Sequence, residues 1–310
     1  MHPAFSILFF TTLAGTAQGL IVLLALAVLG GVSMASGFLL MALGVAEVLL
    51  VAGLAASFLH LGRKMQAWRA VLMWRTSWMS REVIVLPAFI GGVAIWSLAL
   101  RMGVSTPWAK ALPVVLLLAA LALWYCTAMI YACLRFIEEW AHPLTVVNFT
   151  LIGLSSGLVL GCALAAMAGE ARLLQAAGPG ATVVTLAAWA IRFVALRRNA
   201  GIKHKSTLQS ATGIKSTQLV QKSMGMSAGS FNTREFFHGA KQVTLKNIKT
   251  GFQVLAFMLP ALLLLWGVAS QSVLPWVLAA IVQAPGLLAE RWFFFAEAKH
   301  PQNLYYQTVS

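Results

Sequence analysis

Residues 58–87 read FLHLGRKMQAWRAVLMWRTSWMSREVIVLP and join two long apolar runs. The stretch holds one histidine (His60), one carboxylate (Glu82), five cations (Arg63, Lys64, Arg69, Arg75, Arg81) and three tryptophans (Trp68, Trp74, Trp78). Cations and tryptophans set between hydrophobic runs mark a membrane–water interface. On that reading the flanking runs are membrane spans, and the rest of the chain bears it out in composition. It is 60% hydrophobic and only 10% charged over 310 residues, with mean hydropathy +0.84. Soluble domains carry roughly 25% charged residues. The expected class is an all-α integral membrane protein.

A spanning helix needs about 20 apolar residues. Eight runs qualify, at about 4–29, 36–60, 80–100, 111–134, 143–168, 178–197, 251–271 and 274–294. They are continuous rather than alternating, which excludes a β-barrel reading. The N-terminus lacks the basic segment of a signal peptide, so its apolar run counts as the first span. The predicted organisation is six helices over 1–197, a polar loop over 198–250, and two helices with a tail over 251–310. Spans 1–4 and 5–8 could form two four-helix bundles.

The net charge of +14 would suggest nucleic acid in a soluble protein. Here it is distributed by side. An even number of spans puts both termini on one face, together with the 2–3, 4–5 and 6–7 connectors. Eighteen of the 22 cations lie there, and only Arg101, Lys110 and Arg172 lie opposite, with Arg192 inside a span. The positive-inside rule then places both termini and the long loop in the cytoplasm. The expected location is a bacterial inner membrane, with lipid as partner and no nucleic acid.

The six histidines, His2, His60, His142, His204, His238 and His300, gather on the same face. A transmembrane haem ladder needs ligands at both depths, so none is expected. Cys126, Cys133 and Cys162 have no cluster or zinc spacing, and the chain contains no Asp. No haem, iron–sulfur cluster or metal is therefore expected in this chain.

His60 and Glu82 lie at neighbouring helix ends, where ordinary macrodipole effects also favour them. Quinone chemistry moves protons with electrons, and a His–carboxylate pair supplies both donor and acceptor. Pro87 lies just inside the span and could open a pocket. Arg75 and Arg81 flank it, as snorkelling cations or as groups that hold Glu82 or a headgroup. The candidate quinone set is thus His60, Glu82, Arg81 and Arg75. Glu47 lies mid-span, where a carboxylate is costly and therefore a candidate for a proton route; its depth differs from that of Arg192. Arg63, Lys64, Arg234, Phe236, Phe237 and His238 form the expected partner-docking set, because a free linker rarely carries paired phenylalanines beside cations.

FLHLGR (58–63), SWMSREV (77–83) and ERWFFFAEAKHPQNLYY (290–306) resemble the membrane anchor subunits of the dimethyl sulfoxide reductase family (DmsC-like). The resemblance implies an eight-span anchor without haem. Such an anchor holds an iron–sulfur subunit and a molybdopterin catalytic subunit, and exchanges electrons with ubiquinone or menaquinone. It would put the quinol-site histidine and glutamate on His60 and Glu82. SFNTREFFHG (230–239), in a loop expected inside, looks more like the anchors of membrane-bound sulfite dehydrogenases (SoeC-like), and that resemblance implies electrons running from sulfite to quinone. The alternatives are a reductase anchor that oxidises quinol, a secondary transporter, supported by Glu47, Pro260 and Pro285, and a haem-carrying subunit.

Overall fold

The computed structural model describes residues 2, 4–59, 61–62, 64–203, 205–220, 222, 238–270 and 272–305. Among these there is no strand, and eight helices are long and apolar enough to cross a membrane. They are α1 Phe5–Leu29, α2 Ser36–Leu59, α3 Trp78–Arg101, α4 Pro107–Ala132, α5 Pro143–Ala168, α6 Ala171–Ala200, α7 Gln242–Ser270 and α8 Val273–Glu297. The protein is an all-α integral membrane protein.

Two boundaries differ from the sequence expectation by more than four residues. α6 begins at Ala171 rather than near 178, because Gly169 (φ 75°) ends α5 in one left-handed step and the chain turns straight back. α7 begins at Gln242 rather than near 251. Its first turns are polar on one side, while Ile248 and Phe252, four apart, stay on the core side. Apolar run length misses such amphipathic starts.

Helices α1 to α4 pack in a closed ring, as do α5 to α8, and α1 lies against α5. Glycine explains that seam. A Cβ on Gly19 would overlap the Gly153 carbonyl, and one on Gly157 would overlap the Gly19 backbone. Glycines four apart on both helices therefore let two backbones touch, the close approach that packs helices in lipid. Thr16 Oγ1 donates to Ser156 Oγ across the seam at 3.0 Å.

Pro260 has no N–H for the carbonyl four residues back. The chain widens into a π turn at Val254–Met258. Gln283 Nε2, from α8, donates to the Ala256 carbonyl at 3.1 Å and to Ser155 Oγ at 3.2 Å. Gly286 lets α8 come this close, since a Cβ there would meet the Leu255–Ala256 backbone. Backbone groups freed inside a bilayer must find protein partners, and here an amide side chain supplies one.

The two faces differ. On one, short turns are tied together: Ala35 N–H donates to the Glu170 carboxylate at 2.9 Å, and Arg172 to Ser33 Oγ at 2.5 Å. The other carries the 2–3 connector, with an exposed 3₁₀ segment at Lys64–Met73, and the long polar segment between α6 and α7.

Gln283→Leu leaves the Ala256 carbonyl without this donor. Stability in mixed-detergent unfolding should fall by about 1–2 kcal/mol; an unchanged midpoint would show that the π turn needs no side-chain donor.

Candidate functional site

Glu82 is the fifth residue of α3, so it lies about 6 Å inside the helix end. Ser77 caps that helix through Ser80 N–H. Its neighbour Arg81 points back along the connector. Arg81 donates to the Trp74 and Arg75 carbonyls at 3.0 and 2.8 Å and lies over the Trp78 ring at 4.0 Å. The side chain thereby pins the end of the 2–3 connector to the start of α3. This leaves Glu82, only 7% exposed, to face α4, where Thr127 Oγ1 donates to its carboxylate. Trp78, one turn nearer the surface on α3, meets Tyr125 of α4 edge to face at 5.3 Å. A partly exposed aromatic ledge and a buried carboxyl group thus sit side by side at one membrane surface.

Of the residues expected to bind quinone, Glu82 and Arg81 are neighbours, but Arg81 is engaged with backbone carbonyls and an indole. Arg75 is exposed and lies 5.4 Å from the Trp74 ring. His60 lies outside the described residues, as do the docking candidates Arg63, Arg234, Phe236 and Phe237. Lys64 is exposed at the start of the 3₁₀ segment. His238 accepts the Ala240 N–H on Nδ1 at 3.0 Å, and its ring is 6.3 Å from Trp292. Glu47 is half-buried in α2, with Oε2 buried and without a hydrogen-bond partner among the described residues.

A second polar centre, which sequence reading missed, lies between α5, α6 and α8. Arg192 (2% exposed) meets Glu290 (1%) at 2.7 Å and Glu297 at 3.7 Å, and Arg291 (4%) meets Glu290 at 3.6 Å. Arg192 therefore pairs with Glu290 on α8, in keeping with the depth difference that separated it from Glu47. Two carboxylates and two guanidinium groups together offset each other's burial cost. Arg291 also stacks on Phe149 at 3.8 Å, inside an aromatic cluster of Tyr131, Trp140, Phe294 and Phe295. Trp140 Nε1 donates to the Phe294 carbonyl at 3.1 Å. The ERWFFF stretch is thus a structural knot beneath the polar face. The available signal was Glu290 and Arg291 within one span, where ionisable groups are rare.

At the mouth of this centre His142 caps α5, accepting the Leu144 N–H on Nδ1 at 3.1 Å. Burial and the nearby Arg198 push its imidazole below the usual range. Among the described residues no group of three or more His, Cys, Asp or Glu could hold a metal ion.

Eight apolar helices, a cation-rich face and buried acid groups beneath it make this a polytopic membrane protein. Residues 1–221 match the family described as DMSO reductase anchor subunit (DmsC). The chain belongs to that family and is a membrane anchor subunit of an oxidoreductase complex. The C subunit of sulfite dehydrogenase from Allochromatium vinosum is 48% identical to it over 327 residues, covering 100% of both chains.

Removing Arg192 takes the 2.7 Å partner from Glu290, leaving it only Arg291 at 3.6 Å, and takes the 3.7 Å partner from Glu297. Arg192→Met should destabilise the anchor by about 3–5 kcal/mol, whereas Arg192→Met with Glu290→Met should cost clearly less in the same unfolding assay. Equal losses would mean that the two groups are not coupled.

Proposed function

We propose that this anchor passes electrons to membrane quinone during sulfite oxidation, docking an iron–sulfur subunit that connects it to a molybdopterin catalytic subunit. The likeness to the C subunit of a sulfite dehydrogenase, over both full lengths, supports the substrate. The observation that carries the quinone reading is Glu82, a carboxyl group buried against Thr127 beside the Trp78–Tyr125 ledge. Sulfite and water give sulfate, two protons and two electrons; quinone takes up two electrons and two protons to become quinol. The ledge offers the ring an apolar seat reached from lipid, and Glu82 exchanges a proton at a quinone oxygen. His60 is the second proton partner in this reading, and Arg75 adds positive charge at the rim. Glu47 is a deeper candidate for proton handling.

The cation excess at the loop face supports a bacterial inner-membrane protein with both termini and the 198–250 segment in the cytoplasm. Partner clusters seated there lie over Glu82, so electrons reach the ring without a cofactor in this chain. Lys64, His238 and the Arg234, Phe236, Phe237 stretch are the docking groups. The family description supports a second reading in which quinol is oxidised and a reductase is supplied. The site chemistry is then the same, run in reverse.

In the assembled complex Glu82→Gln should lower sulfite-driven quinone reduction at least tenfold, with sulfite oxidation by an artificial dye acceptor unchanged. Wild-type quinone turnover in that variant would remove Glu82 from the mechanism.

A further inference from the structure

Inside the seam between α1, α4 and α5 lies a cavity of about 20 Å³ lined by Thr12, Gln18, Trp124, Thr127, Ser156 and Arg291 among others. About 10–15 Å³ suffices for one water, provided it finds two to four polar partners. This cavity offers them. Thr12 Oγ1, Gln18 Oε1 and Trp124 Nε1 are buried and have no hydrogen-bond partner among the described residues. Gln18 and Trp124 are each only 2% exposed. An acceptor, a donor and a hydroxyl facing one small space are what a bound water requires. Gly153 keeps the space in this form, because a Cβ there would strike the Trp124 ring nitrogen.

The cavity touches both polar centres. Thr127, whose hydroxyl donates to Glu82, forms part of one wall. Arg291 forms another, and it also lines a second space of about 10 Å³ with Glu290, Arg192, Asn148, Glu139 and His142. Arg192 Nη2 and Glu290 Oε2 are buried there without a hydrogen-bond partner among the described residues. A bare guanidinium repels a moving proton, but Arg291 is compensated by Glu290 at 3.6 Å.

We propose that these two hydrated spaces form an internal proton route, running from His142 and Glu290 past Arg291 to Thr127 and Glu82. The inference rests on Glu82 serving quinone. Quinone then meets Glu82 from the lipid side, while replacement protons arrive from the bundle interior. In each turnover quinone takes two electrons from the partner subunit and two protons, at least one of them from Glu82. The Thr127 hydroxyl passes a proton back to Glu82 and regains one from cavity water. Gln18 and Trp124 act as positioning residues that hold that water.

The test uses the assembled complex, sulfite and a soluble short-chain quinone. Gln18→Leu and Trp124→Phe remove the two cavity-facing polar groups and leave Glu82 and Thr127 themselves in place. Each should lower kcat about fivefold to tenfold and enlarge the solvent deuterium isotope effect. KM for quinone, affinity for a quinone analogue and dye-coupled sulfite oxidation should stay unchanged. Thr127→Val should do the same and Thr127→Ser should restore turnover. Wild-type kcat and isotope effect in both Gln18→Leu and Trp124→Phe, with Glu82→Gln still inactive, would refute the route and leave the Glu82 reading standing. Wild-type turnover in Glu82→Gln would overturn both. A rise in KM or loss of analogue binding in the cavity variants would mean that the cavity shapes the quinone seat instead, which also refutes the route.

Discussion

The close contact of α1 with α5 is the constraint on which the remaining structure depends. Lipid tails are as apolar as leucine, so helices in a bilayer gain little by hiding hydrophobic surface from it. They associate where backbones can approach. Gly15 and Gly19 on one side, and Gly153 and Gly157 on the other, allow that approach and fix the register of the two four-helix rings. The register in turn sets Trp124 against Gly153 and brings α4 beside the seam. Without that placement Thr127 would not line the interior cavity.

The same bilayer imposes a second rule, that buried polar groups need protein or water partners. Gln283 meets it for the π turn caused by Pro260, and Ser155 and Thr185 share a hydroxyl contact at 2.8 Å beside it. This break in α7 is therefore filled by protein. Arg192, Glu290, Arg291 and Glu297 meet the rule by offsetting one another. The price is confinement: such a cluster tolerates few arrangements, and it sits under the face where the connectors are longest.

Much of the fold was legible in the sequence because continuous apolar runs of spanning length admit only helices. The ends of α6 and α7 were not, since a turn set by Gly169 and an amphipathic first turn leave no mark in hydropathy. In the candidate site, Glu82 stood out in the sequence as an isolated acid at a span edge, and its burial against α4 did not. Its partner was not legible: Thr127 lies in an apolar run, where a hydroxyl ordinarily bonds to its own helix. Gln18 looked equally unremarkable. The Arg192–Glu290 pair was hidden by separation along the chain, since only the packing of α6 against α8 through α5 and α7 makes them neighbours. Arg81 was read as a charge beside the carboxyl group, and instead it fastens the connector to α3.

The central claim is that the face carrying Glu82 and its proton groups looks into the cytoplasm. Cys133, at the end of α4, is an exposed free thiol on that face, while Cys126 and Cys162 are buried. Labelling with a membrane-impermeant maleimide, on the anchor expressed without its soluble partners, reads its side directly. The account predicts labelling of Cys133 in inverted membrane vesicles and none in intact spheroplasts. Labelling in spheroplasts would contradict it.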